Sequence, residues 1–248
     1  MKSKEELQKI LDGYTYPHPC SSDFDKLWLD DRLSKEEVIE LAHMAGFTTS
    51  SDLDKKKKIS FKDYAVRQKI AGVPAGIWRE ANVNDMQSNI KAFANTICNY
   101  DREHSTLGLL IIGGDETSKT YTACSVINSV IKRTNKTAKY LEFGEFFNKM
   151  SDTSQAGAFI STLQAYDVLV IDNVSLYDLH SFKLQHFISL IRARSAATKH
   201  TIITTNLSIK EFYGYLMSRA NKQMSEAIIK TLNGFDKVFV EKHEEAKQ

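Results

Sequence analysis

The sequence lacks a hydrophobic segment long enough to cross a membrane. Its only strongly apolar run, LGLLII, is far shorter than the roughly 20 residues that a transmembrane helix needs. The first residues, MKSKEELQKIL, lack the apolar core of a secretory signal peptide, which argues against export. Cys20, Cys98 and Cys124 are odd in number and widely spaced, which argues against a disulfide framework and a zinc site. We therefore expect a protein of a reducing cytoplasm with no membrane partner.

The sequence also lacks an excess of charge of one sign. With 33 Lys and Arg against 31 Asp and Glu, the net charge is +2, so electrostatics alone neither demands nor excludes a nucleic-acid partner. Internal repeats and low-complexity segments are absent as well. The length of 248 residues and a hydrophobic content of 42% leave room for one α/β domain and a small appendage.

A polar segment divides the chain. Residues 50–60, SSDLDKKKKIS, carry four consecutive lysines and interrupt all periodicity, which predicts a domain boundary. We predict a helical partner-binding domain over residues 1–58 and a linker helix over residues 59–80, ending near Gly72. Residues 81–248 are predicted to form an α/β domain.

Predicted strands and helices alternate in the second part of the chain. The strand candidates are LGLLII, TAKYLEF, DVLVID, HTIITTN and DKVFVEK, and segments with helical periodicity separate them. Capping boxes that begin at Ser34 and Ser208 mark two helix starts. The order predicts a mainly parallel five-stranded sheet with helices on both faces. In such sheets ligands bind beyond the carboxyl ends of the strands.

The segment GGDETSKT, residues 113–120, follows the first strand and opens a helix. It differs from the phosphate-binding pattern G-x-x-x-x-G-K-[ST] at one position, where Ser118 replaces the last glycine. In such a loop the backbone N–H groups converge on an anion, and the lysine reaches the terminal phosphates. The predicted nucleotide-binding residues are Gly113, Gly114, Ser118, Lys119 and Thr120.

Two further strand candidates end in polar residues. Asp172 ends the strand in YDVLVIDN, and Asn206 ends HTIITTN. At the carboxyl edge of the sheet, Asp172 would lie near the loop and hold Mg²⁺ with the hydroxyl of Thr120. An acid at a strand end is common in any α/β protein. The three strand ends together, in this order and spacing, predict a site for ATP or ADP with Mg²⁺.

These motifs resemble the AAA+ ATPases, and specifically the DnaC/DnaI-type bacterial and phage helicase loaders, with the IstB-type transposition helpers as close relatives. The resemblance covers residues 66–241. It rests on RQKIAGVP, the loop at 113–120, VLVIDNV, and FISLIRARSAATKHTIITTNLS. It implies that Lys119 contacts phosphates and that Thr120 and Asp172 hold Mg²⁺. It also implies that Asn206 is the sensor 1 residue, catalytic together with Asp172.

The sequence departs from the family pattern at four places. If Ser118 took a positive φ, the strain would cost about 1 to 2 kcal/mol. Asn173 stands where the family has a glutamate, and help from such a general base is typically worth roughly 10² to 10⁴ in rate. Lys230, with Arg219 as a substitute, stands in place of the arginine finger, and no arginine after DKVFVEK serves as sensor 2. These departures predict weakened nucleotide binding and weak or absent hydrolysis.

The sequence leaves three functions open. The first is a DNA-replication helicase loader of phage or mobile-element origin, which binds a DnaB-type hexameric helicase as a homo-oligomer and helps place it on single-stranded DNA. The second is a pseudo-ATPase adaptor that inhibits the host helicase or its loader. The third is an IstB-like transposition helper that coats duplex DNA. Residues 1–58 are assigned to helicase binding by position, with Trp28 and Leu29 either as anchors or as core.

Two groups of residues are candidates for contact with DNA. A basic group near the end of the phosphate-loop helix also suits a helix carboxyl end; it comprises Lys132, Arg133, Lys136 and Lys139. Phe146, Phe147 and Lys149 combine aromatic rings with a cation, which suits single strands. Packing against the sheet explains both rings equally well.

Overall fold

The computed structural model describes residues 2–13, 27, 30, 32–44, 61–99, 107–114, 118–174 and 181–240. Its helices are α1 (Lys4–Asp12), α2 (Lys35–Met44), α3 (Phe61–Ala71), α4 (Ile77–Glu80), α5 (Ser88–Asn99), α6 (Lys119–Arg133), α7 (Phe143–Lys149), α8 (Thr153–Ala165), α9 (Ser181–Ala196), α10 (Ile209–Arg219) and α11 (Lys222–Asn233), with a 3-10 turn at Val83–Asp85. Its strands are β1 (Gly108–Ile112), β2 (Ala138–Glu142), β3 (Val168–Asp172), β4 (His200–Thr205) and β5 (Asp236–Phe239). Within these ranges, no helix combines the length and apolarity needed to span a membrane.

The five strands form one parallel sheet in the order β2-β3-β4-β1-β5. Strand β4 lies at the centre, and β1 pairs with β4 on one side and with the edge strand β5 on the other. Because helices cover both faces, β1 and β3 consist of the unbroken runs GLLII and VLVID, in which every residue is buried. The predicted five-stranded parallel sheet is therefore confirmed.

Helices on the two faces of the sheet enclose two hydrophobic cores. Ile127 of α6 lies in the core that α5 and α6 share with one face, and Phe187 of α9 lies in the core on the other face. Neighbouring strand residues alternate between the two, so that Leu110 faces one core and Ile111 faces the other. The sheet is thus covered on both sides, as predicted.

Two glycines allow neighbouring segments of the chain to pack closely against each other. A Cβ at Gly108 would lie 2.3 Å from the ring of Phe235, so only glycine lets β1 and the turn before β5 meet. Gly72 follows α3 with a φ of 76°, and a Cβ there would lie 3.1 Å from the carbonyl oxygen of Tyr140. The helix end predicted near Gly72 is confirmed, and it lies against β2.

Helix α3 packs on α6 through polar contacts. The Arg67 guanidinium donates to the carbonyl of Thr134 at 2.9 Å, just after the end of α6. The Gln68 amide donates to Asn128 Oδ1 at 2.9 Å, and Asn128 Nδ2 donates to the carbonyl of Trp78 at 2.9 Å. Both amide side chains are buried. The segment predicted as a linker is therefore held along the helix that follows the phosphate loop.

Arg194 of α9 is completely buried at the amino-terminal edge of the sheet. Its guanidinium donates to the carbonyls of Leu163 at 2.7 Å, Tyr166 at 2.8 Å and His200 at 2.6 Å. Its Nε donates to the hydroxyl of Thr201 at 3.0 Å. Burial lowers the pKa of Arg194 to about 10, so the group stays charged at neutral pH. One side chain thus ties the end of α8 to the start of β4.

The described part of the amino-terminal region forms a small helical cluster. Helices α1 and α2 contact each other, and the cluster buries Leu7, Leu11, Leu27, Leu33, Val38 and Leu41. The capping box predicted at Ser34 is present, since Ser34 Oγ accepts from the Glu37 N–H at 3.2 Å and the Glu37 carboxylate accepts from the Ser34 N–H at 2.8 Å. Trp28, Leu29 and the four lysines at 55–58 lie outside the described residues.

Candidate functional site

The phosphate-type loop joins the carboxyl end of β1 to α6. Gly113 is tied to β4, because its N–H donates to the carbonyl of Thr205 at 3.2 Å. Lys119, the first residue of α6, is only 8% exposed, and its ammonium donates to the carbonyl of Gly113 at 2.8 Å and to that of Gly114. The lysine side chain therefore folds over the two glycines. Residues 115–117 lie outside the described residues.

Ser118 occupies the N-cap position of α6 without backbone strain. Its φ is −76° and its ψ is 23°, in the right-handed half of conformational space. Ser118 therefore avoids the strain that a positive φ would impose on a residue other than glycine. The Ser118 side chain makes no capping hydrogen bond, although its carbonyl accepts from the Thr122 N–H at 2.8 Å. Serine at this position is compatible with the start of the helix.

Asp172 ends β3 next to the first turn of α6. Its carboxylate is 4% exposed, and Oδ2 accepts a hydrogen bond from the Thr120 hydroxyl at 2.8 Å. Chain topology explains the contact, because β3 is separated from β1 only by β4 and both strands end at the same edge. The structure thus brings together the two residues predicted to hold Mg²⁺.

Two further hydroxyls bind Asp172, and the sequence did not single them out. The Tyr140 hydroxyl donates to Oδ2 at 2.7 Å, and the Thr204 hydroxyl donates to Oδ1 at 2.6 Å. Tyr140 comes from β2 and Thr204 from β4, the two strands that flank β3. Both are polar side chains within apolar strands, which is the only sign of a special role in the sequence. That sign points to Asp172 only when the strand order is known.

Burial keeps the groups around Asp172 protonated. Burial, together with the nearby charge of Asp172, raises the pKa of the Tyr140 phenol far above its usual value. The same two causes raise the pKa of the Cys124 thiol on α6. Both side chains therefore remain neutral at physiological pH, and Tyr140 acts as a hydrogen-bond donor.

The donor set at Thr120 and Asp172 fits a hard divalent cation. A hydroxyl and a carboxylate 2.8 Å apart are oxygen ligands of the kind that Mg²⁺ prefers. Among the described residues, no group of three or more His, Cys, Asp or Glu side chains is placed to hold a metal by itself. A cation here would take its remaining ligands from water and phosphate oxygens, as Mg²⁺ commonly does in nucleotide sites.

Asn173 and Asn206 follow the carboxyl ends of β3 and β4. Asn173 is exposed and has a φ of 59°, a left-handed conformation that asparagine tolerates better than most residues. Its N–H donates to the Thr204 hydroxyl at 2.8 Å. Asn206 is exposed directly after Thr205. Two amides therefore stand at this edge, and an amide cannot accept a proton as a general base.

The predicted substitutes for an arginine finger lie on two helices. Lys230 is exposed in the last turn of α11, and Arg219 is exposed at the last residue of α10. The Arg219 guanidinium lies 5.6 Å from the ring centroid of Tyr215 on the same helix. Their role toward a nucleotide stays a prediction.

Several residues considered for DNA contact are engaged inside the domain. Lys136 donates to the carbonyl of Ile97 at 2.6 Å, and burial lowers its pKa. Phe146 is fully buried in the core. Phe147 is partly buried, and the ammonium of Lys183 lies 3.2 Å from its ring centroid. Packing is thus the observed role of Phe146.

Comparison with known proteins agrees with this geometry. The model of the family described as IstB-like ATP binding protein matches residues 87–243, more than half of the chain. Direct sequence comparison with curated proteins gives no match.

Three solved structures illustrate the similarity of fold. The crystal structure of DnaI has a TM-score of 0.55 at 16% identity, over 66% of this chain and 93% of that one. The DnaC helicase loader has a TM-score of 0.53 at 18% identity, over 67% and 99%. AMPPCP-bound DnaA from Aquifex aeolicus has a TM-score of 0.50 at 15% identity, over 64% and 49%. The chain has an AAA+ fold of the DnaC/DnaI type, and it belongs to the family of IstB-like ATP-binding proteins.

Proposed function

We propose that this chain is a helicase loader that binds ATP or ADP and hydrolyses ATP weakly or not at all. The observation that carries the proposal is the meeting of Lys119, Thr120 and Asp172 at one edge of the sheet, beside Asn173 in place of a glutamate. Membership of an ATP-binding family and a fold shared with DnaI and DnaC support it.

Lys119 is the group that would hold the nucleotide phosphates. Its ammonium now binds the carbonyls of Gly113 and Gly114. Phosphate oxygens would replace these neutral acceptors, because a phosphate adds Coulomb attraction to the ammonium that an uncharged carbonyl does not offer. Thr120 and Asp172 would hold Mg²⁺, which, when bound, neutralises charge on the phosphate oxygens.

Titration with a fluorescent ADP analogue tests nucleotide binding. We expect wild-type protein to bind in the micromolar range or more weakly, and Lys119→Ala to weaken binding about tenfold or more. Lys149→Ala, which removes an exposed lysine on α7, is the matched control and should bind like wild type. Absence of any binding by the wild-type protein would exclude the nucleotide part of the proposal.

The chemistry of hydrolysis is weakened at two groups. Asn173 cannot take a proton from the attacking water, and Lys230 offers a single charge where an arginine would offer a planar fork. We therefore expect turnover close to background in a phosphate-release assay. A rate comparable with that of intact AAA+ enzymes would contradict the degenerate-site proposal.

Loading rests on the fold and on residues 1–58, which we assign to a DnaB-type helicase by their position. The role places the protein in the bacterial cytoplasm, with several copies assembled on the helicase and in contact with single-stranded DNA. A pull-down with a replicative helicase, followed by an unwinding assay, tests it. Stimulated unwinding supports loading, and inhibited unwinding supports the alternative of a pseudo-ATPase adaptor.

The family match favours a second candidate, a transposition helper that coats duplex DNA. A footprint on duplex DNA distinguishes it from a loader. A long protected region without capture of a helicase would support the transposition helper and exclude the loader. Helicase capture without such protection would support the loader.

A further inference from the structure

The carboxylate of Asp172 accepts hydrogen bonds from three hydroxyl groups. Oδ2 accepts from Thr120 at 2.8 Å and from Tyr140 at 2.7 Å, whereas Oδ1 accepts from Thr204 at 2.6 Å. A carboxylate oxygen offers about two lone-pair directions. The hydroxyls of Thr120 and Tyr140 therefore occupy both directions of Oδ2.

The two donors on Oδ2 would play different parts when a metal binds: Thr120 is a candidate ligand, and Tyr140 is a competitor. Thr120 is itself a candidate ligand, since its oxygen keeps lone pairs for a cation while its hydrogen still points to Asp172. Tyr140 comes from β2, the strand that flanks β3, and is 8% exposed. Its hydroxyl takes a direction that a water molecule on a bound cation would otherwise use.

We propose that Tyr140 is a positioning residue that weakens divalent-cation binding at this site by occupying Oδ2 of Asp172. The proposal rests on the proposed nucleotide-binding function, because Mg²⁺ and the nucleotide would share the site. The Tyr140 hydroxyl donates to Oδ2 at 2.7 Å and so competes with a cation for that oxygen. The chain then gains less from Mg²⁺ in nucleotide binding than it would with phenylalanine at this position.

The metal dependence of nucleotide affinity measures the effect. The full-length protein is titrated with a fluorescent ADP analogue in EDTA and in excess Mg²⁺, and the ratio of the two dissociation constants gives the gain from metal. We expect Tyr140→Phe to increase this gain about three- to tenfold, the range for the net contribution of one typical hydrogen bond. Affinity in EDTA should stay within about twofold of wild type.

Two control variants separate this effect from a general change. Thr204→Val removes a donor from the same carboxylate but leaves both donors on Oδ2, so the gain from metal should rise much less. Tyr213→Phe removes a tyrosine hydroxyl that binds Asn233 at 3.1 Å, elsewhere in the domain, and should leave the gain unchanged. Thermal melting checks folding, and Tyr140→Met replaces the phenylalanine variant if that variant is unfolded.

The outcomes separate this inference from the proposed function. A larger gain in Tyr140→Phe alone supports it. An unchanged or smaller gain in Tyr140→Phe, or an equal rise in Thr204→Val, overturns the inference while nucleotide binding stands. If neither wild-type protein nor the variant binds the ADP analogue with Mg²⁺, both the inference and the nucleotide part of the proposed function are overturned.

Discussion

Asn173 combines an inert side chain with an unusual backbone. Its φ of 59° lies in the left-handed region, where asparagine is several-fold enriched over most non-glycine residues. A glutamate there would incur strain of about 1 kcal/mol. The loss of a general base at this position is therefore accompanied by a backbone that suits asparagine.

We predict that Asn173→Glu raises ATP turnover and lowers stability. The carboxylate restores a proton acceptor, and help from such a base is typically worth ~10² to 10⁴ in rate. Because the arginine finger is also missing, we expect a smaller increase in turnover, of about tenfold or more. The left-handed strain should lower the melting temperature by a few degrees. Phosphate release and thermal melting check the two effects.

Ser118→Gly is the matched comparison for that variant. Because Ser118 has a φ of −76°, glycine relieves no strain there and adds freedom to the unfolded chain. We expect Ser118→Gly alone to leave turnover at background and to lower stability by about 0.5 to 1 kcal/mol. If Ser118→Gly raised turnover as much as Asn173→Glu, the loop rather than the missing base would limit the reaction.

His200 makes stability depend on pH at the opposite edge of the sheet. Burial, with the charges of Lys136 and Arg194, lowers the pKa of His200 to about 4, and its Nε2 has no hydrogen-bond partner among the described residues. The unfolded chain, with a pKa near 6.5, binds the proton more readily. Stability is thus complete above pH 6.5 and falls as the pH drops from 6.5 toward 4.

We expect a loss of about 2 kcal/mol in unfolding free energy between pH 7 and about pH 5 from this group. Urea denaturation at both pH values measures it. His200→Phe removes the titration and keeps a ring beside Phe93, whose centroid lies 6.1 Å away. An equal pH dependence in His200→Phe would assign the effect to other groups.

At the scale of elements, the amide pair between α3 and α6 is a local determinant of stability. Asn128→Leu would remove one of the acceptors of the buried Gln68 amide, which also donates to the carbonyl of Arg79, and the amide donor to the carbonyl of Trp78. We predict a loss of about 2 to 3 kcal/mol in a chemical denaturation experiment. Asn95→Ala on α5 removes a solvent-exposed hydrogen bond from Arg133 at 2.7 Å; it is the control and should change stability by less than about 0.5 kcal/mol. Similar losses in both variants would contradict a special role for the pair.

The elements that local signals determine could be predicted from sequence. The capping boxes at Ser34 and Ser208 are present because the serine and the glutamate three residues later satisfy backbone groups within one turn. The sequence patterns did not predict the start of α7. This helix follows β2 directly, and its N-cap residue, Glu142, makes no side-chain capping hydrogen bond. Where a helix start has no such signal, sequence periodicity alone misses it.

The site was predictable only in part. The loop pattern contains Lys119 and Thr120, and Asp172 ends a strand. Because both features lie at the carboxyl edge of a parallel sheet, the sequence could predict that these residues come together. Tyr140 and Thr204 lie inside strands and reach Asp172 only because β2 and β4 flank β3. Which strands are neighbours is a long-range property, and the sequence around Tyr140 carries no trace of it.

At the scale of the molecule, α3 and α4 lie outside the family match but pack on α6. Ala71, Val73, Ala81 and Val83 belong to the same core as the sheet. We predict that a fragment of residues 61–248 unfolds cooperatively near the melting temperature of the full chain, whereas residues 87–248 lose that transition. Circular dichroism melting of both fragments checks this, and a stable 87–248 fragment would confine the nucleotide domain to the matched region.

The buried guanidinium of Arg194 has a consequence for how the chain reaches this fold. Its carbonyl acceptors are Leu163 in the last turn of α8, Tyr166 just after that helix and His200 at the start of β4, so it links the α8–β3 connection to the α9–β4 connection. Any compact arrangement that joined these connections differently would trap an ionised group in an apolar interior with no oxygen to receive its hydrogens, at a cost of several kcal/mol. We therefore expect Arg194 to disfavour compact states in which these segments are joined wrongly.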